Sequence, residues 1–214
     1  MVVGQYGLGV FNIKGVSFTV KRDERFVILG YSGTTALLTS ILGTDRPVAG
    51  EIVIDGKLRL SYNELKYYKL HGLVGYQPQK SSIDENLNVR QHLTLFARLA
   101  GIEKANLSDS VTDMINDCQL KGYENTKAGD LSFGLKRRMS LAMALIGHPK
   151  LVLLDNPVDG NDPCNKMKLI KTILKYTEGR ALIVATRDVL TAELLGHKIA
   201  VMHKGQFLAM GSVA

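Results

Sequence analysis

The stretch Gly30-Tyr31-Ser32-Gly33-Thr34-Thr35 joins a strand-like run, RFVILG at Arg25 to Gly30, to a helix-like one at Thr34 to Leu42. A strand, a glycine turn and a helix start make backbone N–H groups converge, and the first helical turn adds partial positive charge, so this arrangement grips phosphate. The full phosphate-loop pattern is GxxxxGK[ST], whose lysine meets the terminal phosphates and whose hydroxyl ligates magnesium. Here Gly30, Gly33 and the hydroxyl of Thr35 are in place, while the loop is two residues short and Thr34 stands where lysine is due. Between Val27 and Ile54 the only cation is Arg46. With lysine gone, Thr34 and Thr35 also suit the plainer task of capping a helix N-terminus.

The elements that must hold this loop follow from periodicity and punctuation. Up to about Leu60 the pattern is one of short strands, VSFTV at Val16 to Val20, RFVILG, and GEIVIDG at Gly50 to Gly56, separated by Gly and Pro. From about residue 81 to 147 helical spacing dominates, in Asn88 to Gly101, Asp109 to Cys118 and Ser132 to Gly147. Then come KLVLLD at Lys150 to Asp155, a helix from about Lys166 to Tyr176, ALIVAT at Ala181 to Thr186, and a short helix near Leu190 to Leu195. Continuous apolar strands alternating with helices predict a parallel sheet buried on both faces. The expected class is therefore α/β: a parallel-sheet core, an antiparallel β subdomain near the start and a helical insertion, all within one domain over residues 1–214.

Bulk properties narrow the function. No apolar run approaches the roughly 18 to 20 residues that cross a bilayer, and the first ten residues lack a signal-peptide layout. Cys118 and Cys164 share no metal-ligand spacing, which points to a reducing compartment. The net charge is +7, but its 27 Lys and Arg residues are scattered. The densest cluster, Lys136, Arg137 and Arg138, is expected to form a solvated helix face. No nucleic-acid-binding signature is present, and no nucleic-acid partner is expected.

The stretch Leu131 to Pro163, LSFGLKRRMSLAMALIGHPKLVLLDNPVDGNDP, carries more. Its order and spacing resemble the signature motif of ABC-type ATPases, LSGGQ opening a helix, followed by the apolar strand that ends in Asp-Glu-Pro. GLVGYQPQ resembles the family's glutamine loop, with Gln79 in the key place, and Gly160-Asn161-Asp162-Pro163 resembles its D-loop. Tyr6 matches the adenine-stacking aromatic. The wording of KRRMSLAMALIG and LLGHKIAVMHKGQFLAMGS is most similar to the A, lipid-exporter-like, subfamily.

This resemblance implies a P-loop NTPase core that binds ATP and Mg²⁺. It implies nucleotide contacts from Tyr6, Gly30, Gly33, Thr34, Thr35 and Gln79, and magnesium ligands at Thr35, Gln79 and Asp155. It implies Ser132 and Gly134 reaching the ATP of a second nucleotide-binding domain in trans, and docking to transmembrane domains on the cytoplasmic side of a membrane. It also exposes three departures. Asn156 follows Asp155 where the family has the glutamate that activates water, and an amide takes up no proton at neutral pH. Arg187 stands where the family has a γ-phosphate-sensing histidine. The signature has Phe133 and Leu135 in place of its first glycine and its glutamine. Loss of a positioned base removes about 10² to 10⁴ in rate, so turnover in the chain's own site is expected to be negligible alone. The alternatives are a working ATPase in which Arg187 supplies the missing charge, and a scaffold that ignores nucleotide.

Overall fold

β1 (Arg25–Gly30) buries Phe26, Val27 and Ile28 completely, and a strand apolar on both faces needs a layer on each side. The computed structural model describes residues 13–44, 52–59 and 73–213. β1 lies between β6 (Ala181–Thr186) and β7 (Lys198–His203), both parallel to it. The six-stranded sheet is completed on one side by β5 (Leu151–Asp155) and β4 (Val74–Gln77), and on the other by β8 (Gln206–Ser212), antiparallel to β7. β2 (Ile52–Ile54) and β3 (Lys57–Arg59) form a separate antiparallel pair. They turn through Asp55 and Gly56, both at positive φ, as a two-residue hairpin requires.

Alternate strand residues face two cores. Phe26, Ile28, Leu153 and Ile183 meet Leu37, Leu38 and Ile41 of α1 (Thr34–Leu42). Val27, Val152, Leu154 and Val184 face α5 (Pro163–Thr177), α6 (Val189–Leu195) and the helical block. That block contains α2 (Val89–Leu99), α3 (Leu107–Asp117) and α4 (Phe133–Leu145). Asn88 caps α2 in a reciprocal box with Gln91, the side chain of each accepting the other's backbone N–H at 2.8 and 2.9 Å.

Two expectations need adjustment. Val16, Phe18 and Val20 alternate in burial as a strand would, but Val16–Val20 has no ladder among the described residues. α5 begins at Pro163, three residues before Lys166, because Asp162 accepts the Asn165 N–H at 3.0 Å and proline occupies the first helical position. Among the described residues no helix is long and apolar enough to cross a membrane.

The sheet's consequence for chemistry lies at one end. β1, β4, β5 and β6 all point the same way, with Leu29 level with Thr186 and Asp155 level with Ala185. The loop after Gly30, the segment Pro78–Gln79, Asp155–Asn156 and Arg187 therefore leave the sheet together, where open α/β sheets place ligands.

Candidate nucleotide site

α1 starts without a side-chain cap. Its N-cap is Gly33, left-handed at φ 89°, so Thr34 and Thr35 are helical residues and the expectation that they cap the helix is corrected. The N–H groups of Thr34, Thr35 and Ala36 find no acceptor among the described residues, the first satisfied amide being that of Leu37, which bonds Gly33 O at 3.0 Å. Free amides at a helix start leave room for an anion. The loop is wedged against the β7–β8 turn. Ser32 Oγ accepts the Lys204 N–H at 2.9 Å, and a Cβ on Gly33 would come within 3.0 Å of the Gly205 Cα. Gly30 is equally hemmed in, since a Cβ there would stand 2.3 Å from Met202 O.

Thr35, Gln79 and Asp155 converge as the sequence suggested. The Thr35 hydroxyl donates to Asp155 Oδ2 at 2.6 Å and lies 3.5 Å from Gln79 Oε1. Three oxygens of this kind, one a carboxylate, match what a hard divalent cation takes. Burial, foremost, pushes the Asp155 carboxyl above its ordinary range, while the Thr35 hydroxyl, Arg137, the Asn156 amide and Arg187 pull it back. Asn156 sits at φ 48°, a left-handed conformation that asparagine tolerates well, and is 3% exposed. Its Nδ2 donates to Asp155 Oδ1 at 2.9 Å, while its own Oδ1 is buried with no partner among the described residues. A buried orphan acceptor at a cleft marks a place for a donor such as water.

Arg187 rests with its guanidinium carbon 5.6 Å from the centroid of the Tyr31 ring. Tyr6 lies outside the described residues.

Sequence reasoning missed the residue that ties this corner together. Arg137, expected on a solvated face, is 1% exposed. Its guanidinium donates to the carbonyls of Gln79 (3.0 Å), Asp155 (2.6 Å) and Asn156 (2.7 Å), and to that of Pro78. It thus bridges the ends of β4 and β5 from the first turns of α4. Burial lowers its pKa, with Asp159 and Asp155 opposing. The signal was available: residues 137, 141 and 144 share one helical stripe, and the other two are apolar. Arg138 is not free either, donating from Nε to Asn161 Oδ1 at 2.7 Å.

Ser132 and Gly134 lie away from the Thr35–Asp155 corner, at the start of α4. Ser132 caps the helix by accepting the Leu135 N–H at 3.4 Å. A Cβ on Gly134 would come 2.6 Å from Gly160 O, and one on Gly160 would strike the Phe133 ring at 2.4 Å. The signature stretch and the D-loop-like stretch are packed face to face within one chain.

This order of stretches, with a phosphate-type loop, a buried aspartate on β5 and a glycine-bearing helix start pressed on the following loop, matches one family model, described as ABC transporter, over residues 13–159. The chain belongs to the ABC transporter family. Its curated relatives include ABC transporter A family member 11 of Arabidopsis thaliana, 32% identical over 203 residues, covering 94% of this chain and 21% of that protein. They also include the human retinal-specific phospholipid-transporting ATPase ABCA4, 35% identical over 197 residues, covering 91% of this chain and 8% of that one. These relatives place it in the A subfamily, and the chain spans about a fifth of their length or less. A solved dimeric ATP-binding cassette in a post-hydrolysis state, bound to ADP and Pi, superposes with a TM-score of 0.87 at 23% identity, covering 99% of this chain and 97% of that one. That likeness establishes the P-loop NTPase fold.

For an ABC transporter cassette the corner is unevenly equipped. The oxygens of Thr35, Gln79 and Asp155 fit magnesium, and the free amides of α1 fit a phosphate. The Asn156 amide does not fit the work of a base, because it carries no exchangeable acid–base proton near neutral pH.

Proposed function

We propose that residues 1–214 form a single nucleotide-binding domain of an A-type, lipid-transporting ABC assembly, with a helical subdomain over about residues 81–147. Its own site holds Mg-nucleotide weakly and does not cleave it, while its signature serves the site of a partner domain. The observation that carries this reading is Asn156. The metal-type oxygens around it are assembled, yet the side chain level with them orients hydrogen bonds and accepts no proton. Bound magnesium neutralises phosphate charge, and the chain's part is to present Thr35, Gln79 and Asp155 to it and to keep Asn156 Oδ1 open to a water.

The trans role is supported by the unequal state of the two motifs. Ser132 and Gly134 remain at the start of α4, held by the cap and by Gly160, whereas the phosphate loop is shortened. The partners of this domain are thus a second cassette with an intact loop and base, and transmembrane domains that carry the substrate, a lipid by analogy with the phospholipid-transporting relative.

Phosphate release tests the reading. The chain alone should release phosphate no faster than buffer, and mixing it with an intact cassette should give hydrolysis at one site per pair. Ser132→Ala in this chain should then lower that rate. Rapid turnover by the chain alone, abolished by Asn156→Ala, would remove the proposal in favour of a working ATPase.

A further inference from the structure

We propose that Arg187, parked on the ring of Tyr31, is the cation that meets phosphate in this chain in place of the loop lysine, and that Tyr31 is its positioning residue. This rests on the reading above that the end of the sheet holds a nucleotide. β1 and β6 are neighbours, and because Leu29 is level with Thr186, Arg187 leaves β6 beside Gly30, where the shortened loop begins. The next loop residue is Tyr31, whose ring is 76% exposed and carries the guanidinium 5.6 Å from its centroid.

The guanidinium is otherwise uncommitted. Among the described residues Arg187 makes no ion pair and no hydrogen bond, in contrast to Arg137 and Arg138, which both donate to named acceptors. A free planar fork thus stands on the first side chain of the loop that lacks a lysine.

Arginine suits this task better than lysine would. A guanidinium can lie flat on an aromatic ring and still direct N–H groups from its edge to two oxygens, whereas an ammonium is a point charge with no face. The ring also removes rotamer freedom before the ligand arrives, which lowers the entropic cost of binding. The two departures from the family pattern, the shortened loop and the arginine after β6, are then complementary. Tyr31 stands in the loop, and the arginine that uses it leaves the adjacent strand.

The experiment is equilibrium titration of the whole chain with a fluorescent ATP analogue and magnesium, with inorganic triphosphate as competitor to isolate the phosphate contact. Arg187→Ala should weaken both by about ten- to a hundredfold, the loss of a charge-assisted bond to phosphate. Tyr31→Ala should weaken both by about two- to fivefold, the loss of an exposed cation–π contact. Tyr31→Phe should restore the wild-type affinity, and none of the three should move the thermal midpoint. Arg187→Ala binding within twofold of wild type overturns the proposal while leaving the nucleotide reading intact. So does an effect that appears in Lys204→Ala instead, or a Tyr31→Phe variant as weak as Tyr31→Ala. Absence of wild-type binding at millimolar nucleotide removes the nucleotide reading as well.

Discussion

The start of α1 and the start of α4 are both places where an ABC cassette presents a helix N-terminus to phosphate, and in this chain they are built to different standards. α4 is capped by Ser132, pressed through Gly134 onto Gly160, and tied by Arg138 to Asn161. α1 has a glycine cap, no side-chain cap bond and a loop propped by one bond from the β7–β8 turn. The contrast teaches that two helix starts in one domain can be secured by quite different means. The two helix starts answer to different neighbours, α4 to the loop around Gly160 and α1 to the β7–β8 turn and Asp155.

Arg137 links the two regions, since it rises from α4 to the carbonyls of Gln79 and Asp155. Arg137→Met should give the largest loss, about 3 kcal/mol or more in urea unfolding, because four carbonyls, those of Asp155 and Asn156 buried, lose their donor at once. A loss below about 1 kcal/mol would mean that water replaces the guanidinium and that the two regions are independent. Gly160→Ala comes next at about 1–3 kcal/mol, from backbone strain at φ 75° and collision with Phe133. The Gly160→Ala, Phe133→Ala double variant should recover the collision part, measured as a non-additive cycle. Ser132→Ala should cost about 1 kcal/mol in thermal unfolding, as loss of an N-cap does.

The smallest effect is one of sign. Burial raises the Asp155 carboxyl above its ordinary 3.8, so the folded chain takes up the proton more readily than the unfolded one. The stability linked to this group is fully present below pH 3.8 and is lost as pH rises through the folded value. Asp155→Asn should therefore be more stable than the parent at pH 7, and the gain should fade on acidification. A parent that is the more stable of the two at pH 7 would show that Thr35, Arg137 and Asn156 outweigh burial.

Much of the framework was legible because it depends on local periodicity. Arg25–Gly30, Thr34–Leu42 and Ala181–Thr186 stand where apolar runs and glycine punctuation put them. The convergence of Thr35, Gln79 and Asp155 was legible only through resemblance, since nothing local joins residues 44 and 120 positions apart. Arg137 was hidden by its company, because three adjacent cations look like a wet surface until the stripe shared with Leu141 and Ala144 is followed. The Tyr31–Arg187 contact had no signal along the chain, as it arises from the register between two strands that are distant in sequence.

The bond from the Lys204 amide to Ser32, together with the contact of Gly33 on Gly205, makes the deletion hard to undo. Two residues inserted after Gly30 would press on the β7–β8 turn, which already stands against Ser32 and Gly33. Lengthening the loop thus calls for a matched change in a segment 172 positions away.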